Sequence, residues 1–249
     1  MSTRIRPATA IVTGGARGIG RATALRLAAG GCAVAIADVE ADAGRATAAD
    51  IEAAGGRARF VATDVSDVRA VRALVAETNE AFGPVDALVA AAAVLGTEYP
   101  AAELPQEEWD RVLAINLTGV LHCCQAVLPD MVDRGWGRIV SISSHSRHGS
   151  ALQVPYAVSK SGVVALISSI GRGYASAGVL ANCVDPGRAL TDMVVPRLTA
   201  EEIAHPNGVA IGRYAQPEEI AAVIAFLCSE DNTYAVGALW EAAGGVEFA

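Results

Sequence analysis

The sequence has no excess of positive charge. Its 19 lysine and arginine residues are outnumbered by 27 aspartate and glutamate residues, which gives a net charge of −8. Nucleic-acid backbones and anionic membrane surfaces repel a protein of this charge. We therefore predict a small-molecule substrate, with no nucleic acid and no membrane as partners.

Cysteine is scarce, and its five positions form no C-x-x-C pair. This pattern, in otherwise apolar stretches, is typical of reduced and buried thiols in the cytoplasm. His145 and His148 form an H-x-x-H pair without a third ligand in view, so we predict no metal site. The cysteines are Cys32, Cys123, Cys124, Cys183 and Cys228.

Long hydrophobic runs are absent as well. The longest unbroken apolar run, Ala87 to Leu95, has nine residues, whereas about 20 are needed to span a bilayer. Arg4 and Arg6 precede an apolar stretch that Gly14 and Gly15 cut too short for the core of a secretion signal. We therefore expect no transmembrane helix and a cytoplasmic location.

The sequence does contain a regular alternation of short apolar runs with longer amphipathic segments. Its 249 residues, 52% of them hydrophobic, can form one large domain spanning residues 1–249. The alternation is typical of an α/β fold, a doubly wound parallel sheet with helices on both faces. The runs are nearly continuous, as in strands buried on both sides. They predict seven strands, at Ala8–Thr13, Ala33–Ala37, Ala58–Ala62, Ala87–Ala91, Arg138–Ser143, Leu180–Val184 and Ala238–Ala242.

The amphipathic segments predict helices, and one long irregular stretch lies among them. This stretch runs from Pro186 to Gly212 and contains Pro196 and Pro206. Irregular segments of that length often cover a binding site, so we predict a substrate lid at residues 188–212. The helices are expected at Gly20–Ala29, Asp67–Phe82, Gln106–Asp133, Tyr156–Ala177 and Pro217–Ser229.

A glycine-rich turn follows the first predicted strand and opens the first helix. It reads Thr13-Gly14-Gly15-Ala16-Arg17-Gly18-Ile19-Gly20, with G-x-x-x-G-x-G spacing. Such glycines permit positive φ angles and let backbone N–H groups reach a pyrophosphate at the positive end of a helix. We predict a dinucleotide site at Gly14, Arg17, Gly18, Ile19 and Gly20, with a turn that holds no ligand as the alternative.

Asp38 ends the second predicted strand, 18 residues after Gly20. A carboxylate there can accept hydrogen bonds from both hydroxyls of an adenosine ribose, and it repels the 2′-phosphate of NADP. NAD is therefore favoured, although Arg17 can pair with that phosphate and leaves NADP as the less favoured cofactor. Asp64 and Val65, after the third strand, are expected to contact the adenine unless Asp64 only serves a helix N-terminus.

The single lysine of the chain, Lys160, stands four residues after Tyr156. On a helix, that spacing places both side chains on one face. A phenol has a pKa of about 10, and a nearby ammonium together with a positive nicotinamide ring can lower it. The pair predicts proton exchange at Tyr156 coupled to hydride transfer at the cofactor. The alternative is a packed tyrosine beside a solvated lysine.

From about Ala8 to Val246, these motifs resemble the short-chain dehydrogenase/reductase family. The resemblance implies a Rossmann fold, an NAD(P)-dependent oxidoreductase and a homotetramer, in which the apolar Leu166 and Ile167 would help to hide a helix face against a partner subunit. It is carried by the glycine turn, Asp38, Asn116 in Ile-Asn-Leu-Thr-Gly, a serine pair, Tyr156-x-x-x-Lys160, Pro186-Gly187 and Thr191.

Two stretches depart from the family pattern. Ala90–Ala93 stands where the family has Asn-Asn-Ala-Gly, which puts hydrogen bonds at the sheet edge in doubt. Ala243, before Gly244-Gly245, stands where the family usually has an aspartate. Both changes leave the expected reacting residues intact.

Several roles carry over by resemblance. Tyr156 resembles the family's acid/base, and Lys160 the residue that lowers the pKa of the phenol and holds the nicotinamide ribose. Asn116 resembles a residue that anchors a water of the proton relay, and as a poor helix former it also indicates a local distortion. The resemblance further implies a ribose contact from Ala91 and nicotinamide contacts from Pro186, Gly187, Ala189 and Thr191.

The serine that orients the substrate is expected at Ser144, twelve residues before Tyr156. Ser143 has the spacing more usual in the family. We prefer Ser144 because a strand fixes register whereas a loop absorbs deletions. Its hydroxyl would polarise the substrate carbonyl and help to hold the developing oxyanion.

The expected activity is the interconversion of a secondary alcohol and a ketone with NAD(H). The alternative within the same chemistry is an NADPH-dependent reductase of 3-oxoacyl groups on a carrier, which Asp38 and the negative net charge disfavour. A third hypothesis is a dinucleotide-binding regulator without turnover. Loss of Tyr156 or Lys160 would indicate such a regulator, and both are present.

Overall fold

A computed structural model describes residues 9–246 of the chain. Within that range, seven strands form one sheet in which every pair is parallel. The strands are β1 (Thr9–Thr13), β2 (Ala33–Asp38), β3 (Arg57–Ala62), β4 (Val85–Ala90), β5 (Gly137–Ile142), β6 (Val179–Asp185) and β7 (Leu239–Glu241). Their order is β3-β2-β1-β4-β5-β6-β7, which confirms the predicted doubly wound fold. Ala8, where the first strand was expected to begin, lies outside the described residues.

Helices pack on both faces of the sheet. They are α1 (Gly18–Ala29), α2 (Ala41–Ala53), α3 (Val68–Phe82), α4 (Gln106–Leu113), α5 (Gly119–Asp133), α6 (Val154–Tyr174), α7 (Ala200–Ala204) and α8 (Pro217–Cys228). One core lies under α1, α2 and α8, and a second lies under α3, α5 and α6. Because side chains alternate along a strand, Val12 of β1 joins the first core and Ile11 joins the second.

Burial along each strand follows its place in the sheet. β1 lies inside the sheet and is buried at every residue, because helices cover both of its faces. β3 lies at one edge, where Arg57 and Arg59 are exposed while Ala58 and Val61 are buried. The continuous burial expected of every strand is therefore wrong for β3, whose outward side chains meet solvent. It is also wrong for β7 at the other edge, where no residue is buried.

Helix α2 has no counterpart among the helices predicted from the sequence. Its buried residues are Gly44, Thr47, Ala48 and Ile51, so the packed side consists mostly of small residues and shows little apolar periodicity. The packing is close, since a Cβ on Gly44 would lie 2.3 Å from the ring of Phe60. Tertiary contact with β3, rather than local pattern, defines this helix.

The two long central helices need corrections. Gln106–Asp133 is interrupted between α4 and α5 by a π-helical turn at Ala114–Thr118. This turn confirms the distortion expected at Asn116. Ile167 of α6 is fully buried in the core under that helix, so the expectation that it faces a partner subunit is wrong. Leu166 is partly buried against the same core.

By length and hydropathy alone, the helical segments Gln106–Asp133 and Val154–Ala177 could cross a membrane. In their most apolar windows, 44% and 50% of the residues are buried inside the protein. Much of this hydropathy therefore serves the core that lies against the sheet. The length of the longest unbroken apolar run, used above as the criterion, does not detect either segment. The lack of a membrane partner stays a prediction.

The strand order reverses direction beside β1. From that point, β2 and β3 extend to one side and β4 to β7 extend to the other. In doubly wound sheets, ligands bind at the carboxyl ends of the strands where the order reverses. The fold thus directs attention to the segments that follow β1 and β4.

Candidate active site

A cavity of about 1310 Å³ opens at the carboxyl edge of the sheet, between the segments that follow β1 to β6. It exceeds the roughly 300–1,000 Å³ of common small-molecule pockets, as a site for a dinucleotide and a substrate requires. Asn116 lies behind its wall, and the other predicted site residues line it. The lining residues include Gly14, Arg17, Gly18, Ile19, Gly20, Asp38, Asp64, Val65, Ala91, Ser144, Tyr156, Lys160, Pro186, Gly187, Ala189 and Thr191.

The glycine turn between β1 and α1 leaves no room for side chains at its ends. Gly14 has a φ of +65°, and a Cβ there would lie 2.7 Å from the backbone nitrogen of Ala92. A Cβ on Gly20 would lie 2.0 Å from the carbonyl oxygen of Gly14. Arg17 precedes α1 without capping it through its side chain, so the first-turn N–H groups suit an anionic group such as a pyrophosphate.

The carboxylate of Asp38 is fixed by the backbone at the end of β2. Its Oδ2 accepts a hydrogen bond from the N–H of Ala16 (3.1 Å), and its Oδ1 accepts one from the N–H of Glu40 (3.1 Å). Arg17, which can pair with the 2′-phosphate of NADP, forms an ion pair with Glu40. The carboxylates of Asp38 and Glu40 thus lie beside Arg17 at this part of the cavity.

The structure distinguishes between the two roles predicted for Asp64, adenine contact and service at a helix N-terminus. Asp67, not Asp64, caps α3 by accepting a hydrogen bond from the N–H of Arg69 (2.8 Å). Asp64 is exposed on the cavity and accepts hydrogen bonds from the N–H and hydroxyl of Ser66 (2.9 and 2.7 Å). Val65 is buried, and a Cβ on Gly119 would lie 2.6 Å from its Cγ2. Adenine binding by this pair stays a prediction.

Tyr156 and Lys160 lie on one side of α6, as their spacing predicts. Both side chains are buried, and the Nζ of Lys160 lies 5.6 Å from the centroid of the phenol ring. The side chain of Ser144 lies beside the phenol, where it acts to lower the pKa of Tyr156. Ser143 instead donates to the backbone carbonyl of Lys160 (3.1 Å). The geometry therefore favours Ser144 as the serine beside the reacting group.

Burial is the largest cause of the pKa shift at both residues. It lowers the pKa of Lys160 to about 8. It raises the pKa of Tyr156, while the side chain of Ser144 acts in the lowering direction. The net shift at Tyr156 is upwards, opposite to the one expected from the ammonium alone, because burial outweighs the effect of Ser144. The Nζ of Lys160 donates to the carbonyl oxygen of Ile142 (2.8 Å). A protonated phenol is therefore the resting form at neutral pH.

Asn116 holds together three segments behind the cavity. Its Nδ2 donates to the carbonyl oxygen of Val94 (2.8 Å) and to the hydroxyl of Ser159 (3.2 Å), and its Oδ1 accepts from the N–H of Val94 (2.8 Å). Ser159 in turn donates to the carbonyl oxygen of Tyr156 (2.7 Å). The side chain of Asn116 thus joins the π-turn to α6 and to the segment after β4. A role in anchoring water stays a prediction.

Comparison with known proteins identifies the family to which this arrangement belongs. The sequence profile described as short chain dehydrogenase matches residues 8–202. The chain belongs to the short-chain dehydrogenase/reductase family. As a member it is an NAD(P)-dependent oxidoreductase that interconverts secondary alcohols and ketones.

Three similar proteins cover almost the whole enzyme. A 2-dehydro-3-deoxy-L-rhamnonate dehydrogenase (NAD(+)) from Sphingomonas sp. (strain SKA58) is 36% identical over 95% of this chain and 94% of its own. A cis-4-hydroxycyclohexanecarboxylate dehydrogenase from Sinomonas cyclohexanicum is 40% identical, with 95% of each chain covered. The crystal structure of a levodione reductase superposes with a TM-score of 0.91 at 34% identity, covering 97% of this chain and 98% of that one.

The departures from the short-chain dehydrogenase/reductase pattern are accommodated by backbone contacts. The N–H groups of Ala91 and Ala92 approach the hydroxyl oxygen of Thr13 at 3.2 and 3.3 Å, so this hydroxyl links the ends of β1 and β4. Ala243 packs directly on Gly187, where a Cβ would lie 2.6 Å from the Cα of Ala243. Neither change opens the site.

Part of the cavity wall of this short-chain dehydrogenase/reductase was not predicted. The residues from Val94 to Glu98 follow β4 and line the cavity, as does Gln153. The position of Val94 to Glu98 directly after β4, where the strand order reverses, could have predicted their place in the cavity wall. Of the predicted lid, the lining residues include Met193, Val194, Leu198 and His205.

Proposed function

We propose that the enzyme uses NAD rather than NADP to interconvert a small, partly apolar secondary alcohol and its ketone. The observation that carries this proposal is the contact of Ser144 with Tyr156, with Lys160 beside them, in the cavity that the glycine turn opens. The preference for NAD is supported by Asp38 and by the ion pair that engages Arg17. NAD, when bound, supplies the hydride acceptor.

The side chains of the protein transfer the proton and stabilise the charges that develop. Tyr156 exchanges the hydroxyl proton with the substrate oxygen, which we expect to lie between the phenol and the hydroxyl of Ser144. Ser144 also donates to the developing negative charge. Lys160, buried and largely protonated at neutral pH, places a positive charge beside the phenol. We expect residues 188–212 to close over the substrate and exclude water.

The walls of the cavity support a substrate with an apolar part. Val94, Leu95, Met193, Val194 and Leu198 all line it. Two of the similar proteins are named for hydroxycyclohexanecarboxylate and levodione, which are small cyclic compounds. We therefore expect this enzyme to accept small cyclic alcohols or ketones.

Reduction of 3-oxoacyl groups on an acidic carrier is the less favoured activity. Three arginines that line the cavity already pair with carboxylates: Arg17 with Glu40, Arg111 with Glu108 and Arg197 with Glu98. Among the described arginines that line the cavity, Arg188 remains without a carboxylate partner, so we expect little attraction for such a carrier.

Absorbance of NADH or NADPH tests the proposal directly. The wild-type enzyme is supplied with NAD or NADP and with cyclohexanol or cis-4-hydroxycyclohexanecarboxylate, and in reverse with levodione and NADH or NADPH. We expect turnover of at least one compound with a higher kcat/KM for NAD(H). A higher kcat/KM for NADP(H), or turnover of acyl-carrier substrates alone, would overturn the proposal.

We also propose that the enzyme is a cytoplasmic homotetramer. Buried free thiols at Cys32, Cys123, Cys124, Cys183 and Cys228 suit a reducing compartment. Exposed apolar side chains at Val158, Phe226 and Tyr234 offer surface for association between subunits. Light scattering during gel filtration tests the assembly, and a monomeric mass would contradict it.

A further inference from the structure

Arg147 is a buried cation that has no role in the proposed reaction. It lies in the 3₁₀ turn His145–His148, which directly follows Ser144. Only 9% of its side chain is exposed, and its guanidinium forms ion pairs with Asp185, whose side chain is 1% exposed, and with Glu241. Removing one member of a buried pair leaves a charge without compensation, so Arg147 and Asp185 depend on each other.

Asp185 connects Arg147 to the turn that follows β6. Its Oδ2 pairs with the guanidinium, while its Oδ1 accepts a hydrogen bond from the N–H of Gly187 (2.9 Å). Gly187 has a φ of +56° and packs against Ala243 without space for a side chain. Through one shared carboxylate, Arg147 thus reaches the Pro186–Gly187 turn that lines the cavity.

Arg147 is also connected to the substrate side of the cavity. Its backbone N–H and its Nη1 both donate to the carbonyl oxygen of Ser144, at 3.0 and 3.4 Å. The hydroxyl of Ser161, next to Lys160 on α6, donates to the carbonyl oxygen of Arg147 (2.5 Å). One residue therefore joins the Ser144 turn, helix α6 and the turn after β6.

We propose that Arg147 is a positioning residue, whose guanidinium holds the Ser144 turn and the Pro186–Gly187 turn in a fixed relation through Asp185. The inference rests on the proposed function, in which these turns face the substrate and the nicotinamide. Arg147 is not among the residues that line the cavity, so we expect it to act through the position of the two turns. Misplacing reacting groups by 1 Å costs on the order of 100-fold in rate.

Kinetics of Arg147→Met test this role. We use the alcohol that the wild type turns over fastest and the same alcohol with deuterium on its carbinol carbon. We expect kcat to fall about 10- to 100-fold, KM for the alcohol to rise, and the isotope effect on kcat to increase because hydride transfer becomes slower. A partly unfolded sample would lower the apparent kcat but leave KM and the isotope effect unchanged.

Two further variants serve as comparisons. Arg147→Lys keeps the charge but loses the planar fork, so it should recover only part of the lost rate. Arg172→Met removes an exposed arginine from the same helix that carries Tyr156. It should leave the three kinetic quantities at wild-type values.

Hydrogen exchange gives a readout that is independent of turnover. In Arg147→Met, the amides of Ser146 and Gly187 should exchange faster because their acceptors, Ser144 and Asp185, lose support. The amides of β1 should keep their wild-type protection. Wild-type exchange at Gly187 together with wild-type kcat, KM and isotope effect would overturn the inference.

The double variant Arg147→Met/Asp185→Asn separates positioning from charge compensation. The asparagine keeps an acceptor for the N–H of Gly187 but carries no charge to neutralise. We expect the double variant to regain thermal stability relative to Arg147→Met while kcat stays low. Recovery of wild-type kcat would overturn the inference alone, whereas a wild type without turnover of any tested compound would overturn the proposed function and this inference with it.

Discussion

The side chain of Ser144 lies beside the phenol of Tyr156 and acts to lower its pKa, whereas the hydroxyl of the adjacent Ser143 donates to the backbone carbonyl of Lys160. Ser143 is 1% exposed and fastens α6 to the end of β5. Both serines line the cavity, but Ser144, one residue further along, is only half-buried. Two neighbouring residues of one type therefore support different functions.

Replacing each serine separately should reveal this division. Ser144→Ala removes a donor to the developing oxyanion and should lower kcat about 100- to 1,000-fold. Ser143→Ala removes one buried hydrogen bond and should lower the unfolding free energy by about 1 kcal/mol, with a much smaller loss of kcat. Steady-state kinetics and urea unfolding measure both effects, and a larger kcat loss in Ser143→Ala would reverse the assignment.

Cofactor preference should depend on two carboxylates together. Asp38→Ser removes the charge that repels a 2′-phosphate, and Glu40→Gln releases Arg17 to bind it. A hydrogen bond to a charged group contributes about 1.5–3 kcal/mol, so the double variant should raise the NADP-to-NAD ratio of kcat/KM by about 10- to 100-fold over Asp38→Ser. An unchanged ratio would mean that Glu40 does not restrain Arg17.

The buried ammonium should make stability depend on pH. The pKa of Lys160 is about 8 in the folded state and 10.5 ordinarily. Because the folded state loses this proton at lower pH than the unfolded state, the destabilisation is complete below pH 8 and fades as the pH rises towards 10.5.

Lys160→Met removes this destabilisation while the other titrating groups remain. The difference in unfolding free energy between the variant and the wild type should therefore shift by about 2 kcal/mol in favour of the wild type from pH 7 to pH 9.5. Urea unfolding at both pH values measures this shift. A difference that stays constant with pH would contradict the buried ammonium.

Two glycines form a matched pair for testing the cofactor turn. Gly20→Ala would place a Cβ 2.0 Å from the carbonyl oxygen of Gly14, so it should destabilise the protein by about 1–3 kcal/mol and weaken NADH binding. Gly173→Ala lies in α6 with no atom within 4 Å of the new Cβ, and it should stabilise by about 0.5–1 kcal/mol. Thermal unfolding and NADH fluorescence distinguish them, and equal NADH affinities would argue against the turn as a cofactor site.

Features set by local spacing could be predicted from the sequence. The apolar runs predict the sheet because β1 and its neighbours are buried on both faces. The four-residue offset of Tyr156 and Lys160 predicts their common side of α6 because of helix geometry. Features set by distant contacts could not be predicted. Helix α2 depends on packing against Phe60, and Arg147 meets Asp185 from 38 residues away.

The central claim is that Tyr156 exchanges the substrate proton while NAD accepts hydride. The most direct test compares wild type with Tyr156→Phe in the rate of NADH formation from a secondary alcohol that the wild type oxidises, after NADH titration has shown equal cofactor binding. We predict a loss of at least about 100-fold in kcat. Equal rates in the two proteins would contradict the account.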